Sequence, residues 1–265
     1  MTIKKVFTDD LKRKIEINYH PNRIISLVPS ITELLFDLGL DKNIVGITDY
    51  CIHPKELVKE KTKIKGPANI NFEIINKLNP DLIIANKEEN IKSEVLKLSE
   101  KYKIWVSNVN SYNEALNLIL SIGELTGTYE IAQNIKENID KKFKNLKLPD
   151  RKLKIAYIIW KKPYLSINNE TYIGSIIEKC GCVNIFGDKQ ERYPKIKVEE
   201  IINLFPDYIY LSSEPYSFIE KDVNEIKKLI PDVNVKIVDG EMFSWYGSRM
   251  LKATDYFEKL FNLIN

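Results

Sequence analysis

Residues 128–146 read TYEIAQNIKENIDKKFKNL, and this stretch predicts one long helix. Its apolar residues Ile131, Ile135, Ile139 and Phe143 lie four residues apart, and Leu146 follows on the same face. This spacing makes one face of the helix apolar, whereas lysines and acids cover the opposite face. At ~1.5 Å per residue the helix is roughly 28 Å long, about the width of a small domain. We therefore expect a rod that connects two lobes, with a shorter helix from Ser111 before it.

Two segments on either side of this helix resemble each other. Residues 71–84 read NFEIINKLNPDLII, and residues 197–210 read KVEEIINLFPDYIY. In each segment Pro-Asp separates a helical pattern from an apolar strand, and a glutamate, Glu73 or Glu199, lies seven residues before the proline. Helix, Pro-Asp and strand also form a common local pattern in α/β proteins. Because two landmarks recur in the same order, we favour an internal repeat.

Apolar strands alternate with helical segments on both sides of the rod, and the connecting loops are short. This pattern predicts an α/β fold with two lobes, each a mostly parallel sheet flanked by helices, joined by one long α-helix. The expected divisions are residues 1–110, 111–148 and 149–265. A hairpin is expected before the first sheet, and Ser30 or Thr32 is expected to cap the helix that follows the first strand. Further helices are expected over 55–61, 72–78 and 198–204, and a last helix from about Gly247 to Leu263.

Composition excludes several classes of protein. A net charge of +3 on 265 residues gives no strong field for nucleic acid, and no glycine-rich nucleotide loop occurs. The three cysteines cannot all pair, and Cys180 and Cys182 are expected to be small buried residues at a helix end. No catalytic motif of a hydrolase or metalloprotease is present, which argues against an enzyme. We expect a monomer without a cofactor.

The first ten residues lack the apolar segment of an export signal, and no run of 18 apolar residues predicts a membrane span. As written, the chain is expected to stay in the cytoplasm, unless a signal sequence has been removed.

Ligands of open α/β sheets bind beyond the carboxyl ends of the strands. The loops expected there are 29–32, 49–53, 66–70 and 86–90 in one lobe, and 160–164, 187–193, 212–216 and 241–249 in the other. They are rich in aromatic side chains, which suit a large, flat, partly apolar ligand in an inter-lobe cleft. The alternative is that each aromatic ring packs onto its own lobe. The predicted ligand-binding residues are Ser30, Tyr50, His53, Asn69, Trp160, Tyr164, Tyr193, Phe243, Trp245, Tyr246 and Arg249.

Two of these residues leave alternatives open. Arg249 is expected in the first turn of a helix, where its charge opposes the helix dipole, so it either meets a ligand or pairs with a nearby carboxylate. The chain has only two histidines, which disfavours a site for a bare metal ion. His53 could instead serve as an axial ligand to a metal already held in a macrocycle, or it could form a local hydrogen bond.

Several of these motifs together resemble a known family. Asp9-Asp10, the run RIISLVPSITELL from Arg23, Leu38-Gly39, the doubled Pro-Asp and the central rod are similar to the helical-backbone (class III) substrate-binding proteins of ABC importers, in the TroA-like superfamily. The resemblance covers nearly the whole chain, and the cobalamin-binding members are the nearest. It implies a periplasmic or cell-surface protein that captures a metal chelate and delivers it to a permease.

The resemblance also implies residue roles. Glu73 and Glu199 match glutamates that dock the family's proteins onto the permease, although both could simply be acids favoured by a helix N-terminus. Arg249 matches a ligand-side arginine, whereas Pro67, Asn86 and His53 replace aromatic residues of the family. A corrinoid such as cobalamin is the favoured ligand. The alternative ligands are haem and an iron–siderophore complex. A further alternative is that the protein is not exported and handles chelates in the cytosol.

Overall fold

Residues 3–262 are described by a computed structural model of the 265-residue chain. Their internal contacts divide them into two compact units. The first unit comprises the residues up to Asn108, Glu114–Asp140 and Tyr246–Arg249. The second comprises Val109–Asn113, Lys141–Trp245 and the residues from Met250 onward. The chain thus passes from the second unit to the first and back within the short segment Tyr246–Arg249.

The first unit begins with the predicted hairpin, in which β1 (Ile3–Thr8) pairs antiparallel to β2 (Lys14–Tyr19). The buried carboxylate of Asp9 organises the turn between them. It accepts hydrogen bonds from the backbone N–H groups of Leu11 (3.0 Å) and Arg13 (2.9 Å), and from the Arg13 guanidinium (2.6 and 2.8 Å). Its charge is therefore balanced and its oxygens are satisfied, as a buried carboxylate requires.

The sheet of the first unit consists of five parallel strands. In spatial order they are β5 (Thr62–Lys63), β4 (Ile44–Ile47), β3 (Ile24–Ser26), β6 (Leu82–Asn86) and β7 (Ile104–Ser107). The connections contain α1 (Pro29–Asp37), α2 (Phe72–Leu78) and α3 (Lys92–Ser99). Every residue of β3, β6 and β7 is buried, as expected for parallel strands covered on both faces.

The sheet of the second unit consists of four parallel strands. In spatial order they are β11 (Asn234–Val238), β10 (Tyr208–Ser212), β8 (Lys154–Ile158) and β9 (Val183–Asn184). The helices of this unit are α6 (Tyr172–Lys179), α7 (Val198–Leu204), α8 (Glu220–Leu229), α9 (Gly240–Ser244) and α10 (Met250–Asn262). The predicted α/β fold with parallel sheets flanked by helices is confirmed. Cys180 and Cys182 are buried and unpaired, as predicted.

The predicted long helix is α5 (Tyr129–Lys144), preceded by α4 (Tyr112–Thr126). Residues of α5 up to Asp140 belong to the first unit and those from Lys141 onward to the second. Most of the predicted apolar stripe is buried, but Ile131 is 47% exposed, so its assignment to the buried face is wrong. The neighbouring Ala132 is buried instead. It faces Gly123 of α4, where a Cβ atom would collide with the Ala132 side chain.

The internal repeat is visible in the local structure of both units. Helices α2 and α7 each end at a residue in the left-handed region, Asn79 (φ 42°) and Phe205 (φ 49°). The Pro-Asp pair follows directly in both cases. The Asp81 carboxylate accepts a hydrogen bond from the backbone N–H of Arg23 (3.0 Å), and that of Asp207 accepts one from Lys154 (2.7 Å). Each aspartate thus caps the beginning of a neighbouring strand.

Arg23 and Lys154, whose backbone N–H groups donate to these aspartates, each form a further hydrogen bond through the side chain. The Arg23 side chain donates through Nε to the carbonyl oxygen of Leu78 at the end of α2 (2.9 Å). The Lys154 ammonium donates to that of Leu204 at the end of α7 (3.3 Å). The end of the helix, the Pro-Asp pair and the start of the neighbouring strand are therefore connected by equivalent hydrogen bonds in both units.

Three details of the prediction are wrong. Helix α1 begins at Pro29, a residue suited to a first helical turn, so Ser30 and Thr32 lie inside the helix, and Val28 is the N-cap without a side-chain cap. The segment 55–61 contains only a 3₁₀ turn, Leu57–Glu60. The last helix starts at Met250 and not near Gly247, whose φ of +88° interrupts the helix. Its predicted end at Leu263 lies outside the described residues.

Within residues 3–262, none of the helices combines the length and apolarity that crossing a bilayer requires.

Candidate functional site

The strands of each sheet run parallel, so all strands of one sheet end at the same edge, here called its carboxyl edge. In the first unit Ser30 follows β3, Tyr50 and His53 follow β4, and Asn69 follows β5. In the second unit Trp160 and Tyr164 follow β8, Tyr193 follows β9, and Phe243 and Trp245 follow β11. The remaining two predicted residues, Tyr246 and Arg249, belong to the first unit.

Tyr50 and Asn69 come together at the carboxyl edge of the first unit. The Tyr50 side chain is 64% exposed, and its ring lies over Gly66, where an added Cβ would come within 2.7 Å of Tyr50 Cε2. The Asn69 Oδ1 atom accepts a hydrogen bond from the backbone N–H of Gly66 (3.1 Å). His53 is partly buried in the same loop as Tyr50. Gly66 therefore links an exposed aromatic ring to an exposed amide.

Tyr246 is buried in the first unit and donates its hydroxyl hydrogen to Glu89 Oε1 (2.6 Å). Burial, together with the adjacent Glu89 carboxylate, holds the pKa of Tyr246 well above its usual value. The phenol therefore stays protonated and remains a hydrogen-bond donor. Ser30 is also buried, at 3% exposure.

Arg249 is 4% exposed and forms an ion pair with Glu33 of α1. Its Nε lies 2.7 Å from Glu33 Oε2 and its Nη2 lies 3.0 Å from Oε1, so both carboxylate oxygens accept a hydrogen bond. This is the carboxylate pairing that the sequence left open as an alternative for Arg249. A contact with a ligand remains a prediction.

The carboxyl edge of the second unit presents Trp160 and Tyr193, which are 40% and 43% exposed. Trp160 contacts Tyr216 edge to face, with ring centroids 5.6 Å apart. Tyr164 is partly buried and packs against the apolar core of this unit. Burial raises the pKa of its phenol. Backbone hydrogen bonds join Ile159 to Leu165 (2.9 Å) and Leu165 to Trp160 (3.2 Å), which fixes the loop that carries both aromatics.

Phe243 and Trp245 lie deeper in the second unit. Phe243 is 1% exposed and packs against Phe257 (4.8 Å between centroids) and Tyr157 (5.1 Å). For Phe243 the structure thus shows the packing role that was the alternative for each loop aromatic. Trp245 is 8% exposed, and its indole Nε1 donates to Glu214 Oε1 (3.1 Å).

Sequence reasoning identified the loops but missed two acidic partners, Glu89 after β6 and Glu214 after β10. Each holds an aromatic residue that was predicted. Nothing in the sequence marks these two glutamates, because their partners are 157 and 31 residues away.

Among the described residues, no group of three or more His, Cys, Asp or Glu side chains that could hold a metal ion is found. A cavity of about 270 Å³ lies in the second unit, at the opposite edge of its sheet. Its lining residues are Pro149, Asp150, Arg151, Leu153, Asp207, Tyr208 and Asn234. Since these residues are at or before the strand starts, the cavity contains none of the predicted ligand-binding residues.

Comparison with known proteins gives consistent matches. The family model described as periplasmic binding protein matches residues 24–231. The vitamin B12-binding protein of Vibrio cholerae serotype O1 is 27% identical over 194 residues, which cover 72% of this chain and 70% of that protein. An uncharacterised ABC transporter substrate-binding lipoprotein of Bacillus subtilis is 27% identical over 212 residues, which cover 76% and 67%. A crystal structure from Staphylococcus epidermidis, described as a possible iron-binding (periplasmic solute-binding) protein, is 27% identical with a TM-score of 0.78, covering 92% of this chain and 99% of that chain.

Proposed function

Because the chain belongs to the periplasmic binding protein family, we propose that it is the substrate-binding protein of an ABC importer and that its ligand is a metal chelate, with a corrinoid such as cobalamin favoured. The resemblance found in the sequence is thereby confirmed at the level of the family. The observation that carries the proposal is the concentration of aromatic and polar side chains at the carboxyl edge of each parallel sheet, which is where open α/β sheets bind ligands. A protein with this task binds and releases its ligand unchanged, so we propose no catalysis.

The exposed rings support a large ligand with flat apolar faces. Tyr50, Trp160 and Tyr193 are each at least 40% exposed although they are large and partly apolar. Side chains of this type bury much area on contact and offer a polar tip for orientation. We propose Tyr50, His53 and Asn69 as ligand contacts on the first unit, and Trp160, Tyr164 and Tyr193 on the second.

A second candidate ligand is haem or a ferric siderophore. The similarity to the described iron-binding protein of Staphylococcus epidermidis favours it, at the same 27% identity as the vitamin B12-binding relative. His53 or Tyr50 would then be the axial ligand to iron. The two candidates differ in charge, because haem carries carboxylates whereas the corrin ring of cobalamin carries amides.

A titration against cyanocobalamin, haemin and a ferric siderophore tests the proposal. We expect cyanocobalamin to quench tryptophan fluorescence, because Trp160 and Trp245 lie at a carboxyl edge, and to raise the melting temperature. Trp160→Phe should reduce the quenching, whereas Trp105→Phe, within the buried strand β7, should not. If none of the three chelates changes fluorescence or melting temperature, the proposal is overturned. If only haemin or the siderophore binds, the second candidate replaces the first.

We further propose that Glu73 and Glu199 dock the protein onto its permease. Both are exposed and lie in the first turn of a seven-residue helix, α2 or α7, directly before the repeated Pro-Asp. Two carboxylates presented in the same local setting suit contacts with basic residues, which set the orientation of a complex more than its affinity. The protein would act outside the cytoplasmic membrane, as a monomer.

The ABC permease proposed as the partner, reconstituted in vesicles, provides the test. Glu73→Ala and Glu199→Ala should each weaken binding to the permease at least tenfold and leave the dissociation constant of cyanocobalamin unchanged. Glu130→Ala and Glu220→Ala are matched controls, because both are exposed first-turn glutamates, of α5 and α8. Equal losses in all four variants, or no loss in any, would remove the docking role.

A further inference from the structure

Glu214 joins two loops at the carboxyl edge of the second unit. It follows β10, and its Oε1 atom accepts hydrogen bonds from two consecutive residues after β11, Ser244 Oγ (2.5 Å) and Trp245 Nε1 (3.1 Å). The close approach depends on Gly240, where an added Cβ would lie 2.5 Å from Glu214 Cγ. One carboxylate oxygen therefore fixes the orientation of the Trp245 indole.

The second oxygen, Oε2, is differently placed. No hydrogen bond to it is found in the part of the chain that the structure describes, and the Glu214 side chain is only partly buried. Burial raises the pKa of Glu214, and the nearby carboxylates Glu241 and Asp239 act in the same direction, whereas the bonds from Ser244 and Trp245 oppose the shift. In its ionised form the Glu214 carboxylate only accepts hydrogen bonds, so Oε2 suits an uncharged donor, and the negative charges of Glu241 and Asp239 repel a ligand carboxylate.

On the basis of the proposed function, we propose that Glu214 determines ligand specificity. Its Oε1 positions the Trp245 indole, and its Oε2 accepts a hydrogen bond from an amide N–H of the ligand. This edge therefore selects amide-bearing chelates over carboxylate-bearing ones. A site that is built to hydrogen-bond a ligand group rejects analogues that lack it, because its own polar atom is then left unpaired.

Glu214→Gln separates the two roles. The glutamine oxygen can still accept from Ser244 and Trp245, and its NH₂ group then replaces Oε2, so an acceptor becomes a donor at that point alone. We expect the dissociation constant of cyanocobalamin to rise at least tenfold and haemin to bind several-fold more tightly. The indole band in near-ultraviolet circular dichroism should stay unchanged. Glu214→Leu removes both roles, so it should change that band as well, as Trp245→Phe does.

Glu178→Gln is the matched control, because it removes the same charge from an exposed position near the end of α6 in the same unit. It should change neither affinity. Parallel weakening of both ligands by Glu214→Gln would indicate a purely structural role and overturn the proposal, as would unchanged affinities. An unchanged indole band in Glu214→Leu would overturn the positioning role. If the unmodified protein binds neither cyanocobalamin nor haemin, the proposed function fails before any variant is compared.

Discussion

The carboxylate of Glu33 and the guanidinium of Arg249 form a buried pair with two hydrogen bonds, although 216 residues separate them in the chain. Their side chains are 2% and 4% exposed, so water screens neither charge effectively. The pair fixes the segment Tyr246–Arg249 to α1 within the first unit. Gly247 supports this attachment, because it adopts φ +88° and approaches Leu34 and Ser30 of the same helix.

Removal of one partner should be costly. Arg249→Met removes the guanidinium that pairs with the buried Glu33 carboxylate, and breaking a buried pair in this way typically costs about 3–5 kcal/mol of unfolding free energy. The double variant Glu33→Gln with Arg249→Met should recover much of that loss, because no uncompensated charge remains. Urea unfolding followed by circular dichroism measures both. Equal stability of the single and double variants would show that the pair is not the source of the effect.

The same variants test the predicted ligand role of Arg249. If the arginine only anchors its segment, the double variant should bind cyanocobalamin with nearly the affinity of the unmodified protein. If it also contacts the ligand, affinity should fall at least tenfold in the double variant even where stability has recovered. Isothermal calorimetry on the two proteins distinguishes these outcomes.

A substitution at Gly66 tests the proposed ligand contact of Tyr50 without changing the tyrosine itself. An alanine methyl at Gly66 would press on the far edge of the Tyr50 ring, which is exposed and can move, so the loss of unfolding free energy should stay below about 1 kcal/mol. Gly66→Ala should nevertheless weaken ligand binding several-fold, because it displaces the ring. Gly39→Ala is the opposite control, since φ is +79° there and no atom lies within 4 Å of the added methyl. It should cost about 1–2 kcal/mol of stability and leave ligand affinity unchanged.

Local features were predictable where a short stretch of sequence determines the structure. The bounds of α2 and α7 follow from the helical pattern and the Pro-Asp that ends it, and both helices occur over 72–78 and 198–204 as predicted. The parallel sheets and the loops at their carboxyl edges follow from the alternation of strands and helices. Each of these inferences needed only neighbours in the sequence.

Contacts between distant segments were not predictable. The partner of Arg249 could not be identified because Glu33 is one of many acids, and helical spacing says nothing about a residue 216 positions away. Ile131 fits the apolar period of α5, yet the close approach at Gly123 turns Ala132 inward instead. Glu214 has no sequence signal at all, although it holds Trp245.

Asp207 should make stability depend on pH. The hydrogen bonds from Arg151, with a further one from the Lys154 backbone, lower the pKa of its carboxyl below the usual 3.8. The stabilisation is therefore fully present above about pH 4 and is lost as the pH falls through the lower folded-state pKa. Asp207→Asn should cost about 1–2 kcal/mol at pH 7, and the difference from the unmodified protein should shrink towards pH 2. Melting curves at pH 7, 5 and 2 measure this, with Asp188→Asn as a control for the removal of an exposed carboxylate in the same unit.

The internal repeat places Asn79 and Phe205 at equivalent positions after α2 and α7, so each residue can be tested in the place of the other. Phe205 adopts φ 49° and is 77% exposed, so a bulky residue occupies a left-handed position without burial to offset the strain. Asn79 occupies the equivalent position in the first unit, and asparagine tolerates this conformation well. Phe205→Asn should therefore raise the unfolding free energy by about 0.5–1 kcal/mol, and Asn79→Phe should lower it by a similar amount. Thermal and urea unfolding of the two variants measure the changes, and a loss of stability in Phe205→Asn would show that the exposed ring makes a stabilising contact that outweighs its backbone strain.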